Sequence, residues 1–129
     1  MNTPERVGAC GYVTEDYDNL FLPDRLWQLT LQENINSYFI YTMLISPEYK
    51  NVICSMSSGT SGSMHNIPKK RFLDLNMRIA PNKNEQDAIG KLFQSIHHSI
   101  TLHQRTCEKY KKIKQGMMEE LLSGKIRLV

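Results

Sequence analysis

A loop rich in hydroxyl groups and glycine precedes the densest run of positive charge in the sequence. Six serines and threonines and two glycines occupy eight of the nine positions from Ser55 to Ser63, and Lys69, Lys70 and Arg71 follow soon after. Hydroxyl groups and glycine amides are good ligands for phosphate and sugar, and neighbouring cations add attraction to a polyanion that does not depend on its sequence. The pattern therefore fits a nucleic-acid contact, but the residues alone do not favour that interpretation. The alternative, and the usual fate of such stretches, is a solvated loop beside a surface charge run.

Two residues between the loop and the basic run could contact bases. His65 and Asn66 can both hydrogen-bond base edges, and asparagine pairs well with adenine. They could equally begin a short strand and hydrogen-bond locally. Three aromatic residues, Tyr12, Tyr17 and Trp27, are predicted to pack against other side chains, because stacking platforms serve single strands rather than a duplex.

No arrangement of residue types predicts catalysis or metal binding. His97, His98 and His103 are separated by one, five and six positions, whereas ligands on one helical face need a spacing of three or four. The sequence shows no carboxylate pair, Ser/His/Asp set or phosphate-binding glycine loop. The three cysteines are widely spaced without a C-x-x-C pair, which predicts reduced thiols. We predict a non-catalytic chain without catalytic, cofactor-binding or metal-binding residues.

Composition and charge indicate a small globular protein. The chain has 129 residues, of which 40% are hydrophobic and 22% charged, so it holds one ordinary domain at most, with or without an appendage. Residues 1–83 carry eight basic and eight acidic residues, and residues 84–129 carry eight and five, which accounts for the net charge of +3. No apolar run approaches the roughly 18 residues that span a bilayer, so we expect a soluble, cytoplasmic protein.

Residues 1–83 are predicted to form a small mixed α/β domain. Alternating apolar residues predict strands near 9–14 and 26–31, and the sequences HNIP (65–68) and NMRIAP (76–81) predict two more around a brief KKRFLDL helix or turn. A helix in ENINSYFIYTMLIS is expected to stop before Pro47, which then occupies the first position of another helix. The predicted fold class is α+β.

Residues 84–129 are predicted to form one long helix of coiled-coil type with a short tail. No proline occurs between Asn84, a candidate cap, and Ser123, and Gly124 is a typical stop. Apolar residues recur at heptad spacing at both ends, and the middle of the stripe is polar. The predicted interface with a partner helix consists of Ile89, Leu92, Phe93, Ile96, Ile100, Cys107, Tyr110, Ile113, Met117 and Leu121.

Four blocks of the sequence resemble the DNA-specificity subunit of type I restriction-modification systems. They are GYVTEDYDNLFLPDRLWQL, SGTSGSMHNIPKKRFLDLNMRIAP, EQDAIGKLFQSIHHSI and KIKQGMMEELLSGKIRLV, in family order over nearly the whole chain. Subunits of this family resemble two tandem repeats, each a target-recognition domain followed by a spacer helix. This chain resembles one partial recognition domain (1–83) and one spacer and dimerisation helix (84–129), that is, a C-terminal fragment.

The resemblance implies recognition of one half of a bipartite duplex DNA target. The residues expected to face DNA are Thr60, Ser61, Gly62, Ser63, His65, Asn66, Lys69, Lys70 and Arg71. Methyltransferase (modification) and restriction subunits would be partners. S-adenosylmethionine, ATP and Mg²⁺ would belong to those partners, whose complex is an ATP-dependent endonuclease and adenine methyltransferase. A homodimer through the long helix is a further possibility, and a coiled-coil interaction scaffold without DNA affinity is the alternative function.

Overall fold

The computed structural model describes residues 7–15, 17–19, 21–23, 26–57 and 66–129. This part of the chain forms four helices: α1 (Ser37–Ile45), α2 (Pro47–Ser55), α3 (Lys69–Leu73) and α4 (Lys83–Leu122). Contacts divide the chain into two compact units, Met1–Lys91 and Leu92–Val129, and α4 contributes residues to both. Within the described residues, no helix is long and apolar enough to cross a membrane.

The predicted α+β fold is wrong for the described part of the chain, which is helical and contains no sheet. Residues 9–14, 26–31 and 76–81 are irregular, and among the described residues of the HNIP segment, 66–68, only Asn66 lies in an isolated bridge. Alternation predicts a strand only where a neighbouring strand supplies the hydrogen bonds of a ladder. These segments instead pack against the helices through single side chains such as Cys10, Leu31 and Met77.

The predicted boundary between α1 and α2 is confirmed. Asn36 caps α1 by accepting a hydrogen bond from the Phe39 N–H through its side-chain oxygen, at 2.8 Å. Ser46 ends α1 and begins α2, where its hydroxyl accepts from the Tyr49 N–H. Pro47 occupies the start of α2, where its missing N–H costs nothing. Local capping chemistry therefore fixes this pair of helices.

The core of Met1–Lys91 is small and lies between α1 and α2. Phe39, Ile40 and Leu44 of α1 meet Ile53 of α2, which is 1% exposed. The partly buried side chains around them come from several described segments of the unit and include Ile35, Ile67, Phe72, Leu75 and Ile89. Each fully buried aliphatic or aromatic side chain contributes about 1.5–3 kcal/mol, so the loss of any one of the four core side chains would destabilise the unit substantially.

The long helix begins two residues earlier than a cap at Asn84 predicts, and it ends before Gly124 as predicted. Asn82, rather than Asn84, is the capping residue, because its side-chain oxygen accepts from the Asn84 N–H at 2.9 Å. At the other end Gly124 adopts φ +73°, and its N–H bonds the Leu121 carbonyl. That left-handed conformation is easily reached by glycine, so the residue type determines where the helix stops.

Candidate nucleic-acid interface

The short helix α3 displays the basic run at the surface. Its inward-facing residue is Phe72, which packs on the core and lies with its ring 5.9 Å from that of Trp27. Because a helix turns by about 100° per residue, Lys70 and Arg71 point away from the contact with the core, whereas Lys69 lies only about 60° from Phe72. Lys69, Lys70 and Arg71 are all exposed.

The three cations of α3 have different surroundings. Arg71 Nη1 donates to the Met56 carbonyl oxygen at 3.5 Å, which places a positive charge at the C-terminal end of α2. The ammonium groups of Lys69 and Lys70 have neither an ion-pair nor a hydrogen-bond partner in the described part of the chain. Two lysines are thus available to a polyanion, whereas Arg71 also ties α3 to α2.

Most of the predicted DNA-facing loop lies outside the described residues. This applies to Thr60, Ser61, Gly62, Ser63 and His65. Asn66 is described and exposed, directly before Ile67, which packs on the core. The assignment of all these residues to DNA contact stays a prediction.

The aromatic residues singled out from the sequence differ in their packing. Tyr12 contacts Tyr38 and Tyr41 of α1, with ring centroids 4.9 and 5.7 Å away, and its hydroxyl hydrogen-bonds the Ser37 hydroxyl at 3.1 Å. Desolvation raises the pKa of Tyr38, and the neighbouring Tyr41 and Tyr12 raise it further. Tyr12 therefore packs as predicted, as does Trp27 on Phe72, whereas Tyr17 is 56% exposed.

A polar cluster that the sequence did not predict joins the start of α4 to the start of α1. Gln86 is 3% exposed; its Oε1 accepts from the Asn36 N–H at 3.0 Å, and its Nε2 donates to the Ala80 carbonyl at 2.8 Å. Asn36 Nδ2 donates to Asp87 Oδ1 at 2.7 Å. Asp87 also lies 3.7 Å from the Lys83 ammonium group. This cluster positions the first turns of α4 against the small core.

Gly90 allows α1 and α4 to approach each other. A Cβ atom at this position would lie 2.9 Å from Asn36 Oδ1 and 3.4 Å from the Phe39 nitrogen. The Asn36 amide cannot easily yield, because it is bonded at one end to Phe39 and at the other to Asp87. An interior glycine in an otherwise strong helix pattern was the one signal in the sequence for this contact.

We expect Gly90→Ala to lower the free energy of unfolding of Met1–Lys91 by about 1–2 kcal/mol, since displacing Asn36 costs a helix cap and a hydrogen bond to a charged group. Gly116→Ala is the matched control, because a Cβ there would meet nothing within 4 Å. It should stabilise the helix by up to about 1 kcal/mol through propensity alone. Denaturation followed by fluorescence and circular dichroism tests both, and equal effects would contradict the steric role of Gly90.

The predicted helix-interface residues fall into two groups. Ile89 packs on the core of the first unit. In the second unit Leu121 is half-buried, and the remaining predicted interface side chains are exposed. The exposed fraction of the large apolar ones ranges from 37% for Phe93 to 66% for Tyr110. This exposed group comprises Leu92, Phe93, Ile96, Ile100, Cys107, Tyr110, Ile113 and Met117. We call it the apolar stripe.

Reactive chemistry is not favoured by the surroundings of the thiols. Cys10, Cys54 and Cys107 are free. Burial raises the pKa of the Cys10 thiol, which keeps it protonated and weakly nucleophilic at neutral pH. The Cys54 thiol donates to the Val7 carbonyl at 3.3 Å. Within the described residues no three potential metal ligands lie together.

Comparison with known proteins identifies a distant relative. The chain is 30% identical over 97 residues to the type I restriction enzyme MjaVIII specificity subunit of Methanocaldococcus jannaschii. The match covers 74% of this chain and 22% of the relative, so the chain corresponds to about a fifth of that protein. No family model matches the chain, and no solved structure matches it significantly. The relative is named a specificity subunit, in agreement with the prediction that this chain is not an enzyme.

Proposed function

We propose that this chain, a distant and partial homologue of a type I restriction enzyme specificity subunit, is a non-catalytic DNA-specificity module. It would recognise one half of a bipartite duplex target. The homology over 97 residues is the observation that carries the proposal. The exposed Lys69 and Lys70, which lack partners in the described part of the chain, support it.

Each part of the chain has a separate role in this proposal. The partial recognition domain, residues 1–83, contacts DNA through α3 and through the loop that precedes it. Phosphate contacts from Lys69 and Lys70 fix position without specifying sequence, and Asn66 is exposed at the start of the same segment, where it could reach a base edge. The spacer helix, residues 84–129, sets the distance to a second recognition domain.

The proposed assembly contains subunits that this chain lacks. Methyltransferase and restriction subunits dock on the specificity module in the cytoplasm, and S-adenosylmethionine, ATP and Mg²⁺ belong to them. The apolar stripe of α4 pairs with a matching helix, which a second copy of this chain can supply in an antiparallel homodimer. Uncovered, the stripe would expose large apolar side chains along several turns, which is unfavourable by about 25 cal/mol for each Å² of apolar surface.

A second candidate function is a coiled-coil scaffold without DNA affinity. The observation that favours it is the charge balance of residues 1–83, where eight basic residues are matched by eight acidic ones. A neutral surface attracts duplex DNA only through local clusters. The cluster on α3 therefore distinguishes the two functions.

We expect Lys69→Gln combined with Lys70→Gln to weaken duplex binding about equally for all DNA sequences. The slope of log affinity against log salt should become shallower by about 1.8, since each lost phosphate contact contributes about 0.9. Fluorescence anisotropy with labelled duplexes of several sequences, over a range of salt concentrations, measures both quantities.

The control for this double variant removes the same charge elsewhere. Lys50→Gln with Lys125→Gln changes two exposed lysines outside α3 and should leave the slope nearly unchanged. Equal slopes for the two double variants would contradict a specific role for α3. A wild-type chain without affinity for duplex DNA at low salt would favour the scaffold function.

A further inference from the structure

The middle of α4 carries a dense cluster of cations that the predicted DNA contacts do not include. Residues 105–114 contain five basic residues and one acidic residue, Glu108. The basic residues are all exposed, and none has an ion-pair or hydrogen-bond partner within the described chain. They are Arg105, Lys109, Lys111, Lys112 and Lys114. Their repulsion is unfavourable for the isolated helix, so an external anion would relieve it.

Three of these cations share one side of the helix. With a rotation of about 100° per residue, Arg105, Lys109 and Lys112 lie within roughly 60° of each other around the axis. The centre of this group is turned by about 160° from the centre of the apolar stripe. We call these three residues the basic face. A partner helix on the apolar stripe would leave the basic face open to solvent.

The basic face also contains a gap in its side chains. Gly116 lies one turn beyond Lys112 on the same side, and a Cβ atom there would meet nothing within 4 Å. Intramolecular packing therefore does not explain this interior glycine, which costs the helix about 1 kcal/mol relative to alanine. Absence of a side chain allows another molecule to approach the backbone closely.

We propose that the basic face binds the sugar-phosphate backbone of duplex DNA, as a second electrostatic contact beside that of α3. This inference rests on the proposed function. Arg105 and Lys112 are separated by about 10.5 Å along the axis, at a rise of about 1.5 Å per residue. That distance matches about three phosphate steps of one strand, each of which rises by about 3.4 Å along the duplex axis.

Duplex DNA fits the basic face better than an acidic protein does. Lysine is depleted in protein–protein interfaces, where aromatic residues, methionine and arginine are enriched. The basic face has two lysines among its three members, whereas tyrosine and methionine occur on the apolar stripe. Flexible lysines and arginines around a small residue are typical of backbone contacts, which need no fixed geometry.

The test compares two double variants of the complete chain that differ only in which side of α4 loses charge. Lys109→Gln with Lys112→Gln removes two charges from the basic face, whereas Lys111→Gln with Lys114→Gln removes two charges roughly 160° away around the axis. Affinity for a mixed-sequence duplex of about 30 base pairs is measured by anisotropy across salt concentrations. We expect the first variant to lose about 1.8 units of salt slope, and the second less than half as much.

The outcomes separate this inference from the function on which it rests. If the wild-type chain binds the duplex and both double variants change the slope equally, the basic face has no special role and the inference is overturned alone. The inference is also overturned alone if neither double variant changes the salt slope, which is the result expected for a face that binds an acidic protein. If the wild-type chain has no duplex affinity at low salt, both the function and the inference are overturned. Circular dichroism of each variant verifies that the helix is intact.

Discussion

Replacing Gln86 by leucine is expected to lower the free energy of unfolding of Met1–Lys91 by about 2–4 kcal/mol, since each buried polar group left without a partner costs about 1–3 kcal/mol. The buried Gln86 side chain hydrogen-bonds two backbone groups, the Asn36 N–H and the Ala80 carbonyl. Leucine would leave both groups without a partner. Leucine has nearly the same volume as glutamine, so the lost hydrogen bonds dominate the effect. Denaturant unfolding followed by the fluorescence of Trp27, the single tryptophan, reports on this unit.

Two further substitutions give this experiment its controls. Gln94→Leu makes the same chemical change at an exposed position of the same helix, and should alter stability by less than about 0.5 kcal/mol. Gln86→Glu keeps an acceptor for the Asn36 N–H but loses the donor to Ala80, so its effect should be intermediate. An unfolding midpoint of Gln86→Leu equal to that of the wild type would show that solvent replaces both hydrogen bonds.

The helices were predictable because their limits depend on local chemistry. Pro47 can begin a helix but not continue one, Gly124 favours a left-handed turn, and no proline interrupts the sequence of α4. The strands were predicted wrongly because alternation is a weak signal without a pairing partner. In segment 26–31 even Trp27 and Leu29 remain about 40% exposed, so the alternation there does not separate a buried face from a solvated one.

The contact between α1 and α4 could not be predicted, because it joins residues about 50 positions apart. Nothing in the sequence around Gln86, which hydrogen-bonds Asn36, distinguishes it from the exposed glutamines of the same helix. Only the tertiary approach of the two helices, allowed by Gly90, determines which of them is buried. A sequence pattern can predict that a polar residue begins a helix, but it does not predict which distant residue that side chain will hydrogen-bond.

For the site, the sequence predicted residue types better than their individual roles. The basic run lies at the surface on a short helix, as expected from KKRFLDL. However, the sequence predicted that all three cations contact DNA in the same way, whereas the Arg71 guanidinium also hydrogen-bonds the end of α2. The difference arises because long cationic side chains reach helix ends that are distant in sequence, where the dipole attracts them. Substitution of the two lysines is therefore a cleaner test of DNA contact than substitution of all three residues.

Ile113→Asp combined with Met117→Asp is expected to weaken self-association of the chain more than about a hundredfold, equivalent to roughly 2.7 kcal/mol. Both side chains are about half exposed in the single chain. In an antiparallel pair, first and fourth heptad positions meet across the interface. The alignment that best matches like with like places Ile113 against Ile96 of the other copy and Met117 against Leu92. Each substitution then buries a carboxylate opposite an aliphatic side chain, at both ends of the pair.

The polar centre of the stripe supports this antiparallel alignment. His103 and Thr106 meet each other in the middle under the same register, so the polar centre of one helix faces that of the other, although Tyr110 then lies against Ser99. Gln94→Asp with Thr101→Asp is the matched control, because it adds the same charge on the side of α4 turned away from the stripe. Sedimentation equilibrium at micromolar concentration should show a dimer for the wild type and this control, and a monomer for Ile113→Asp with Met117→Asp. A monomeric wild type would exclude pairing between copies and leave the stripe to a different partner helix.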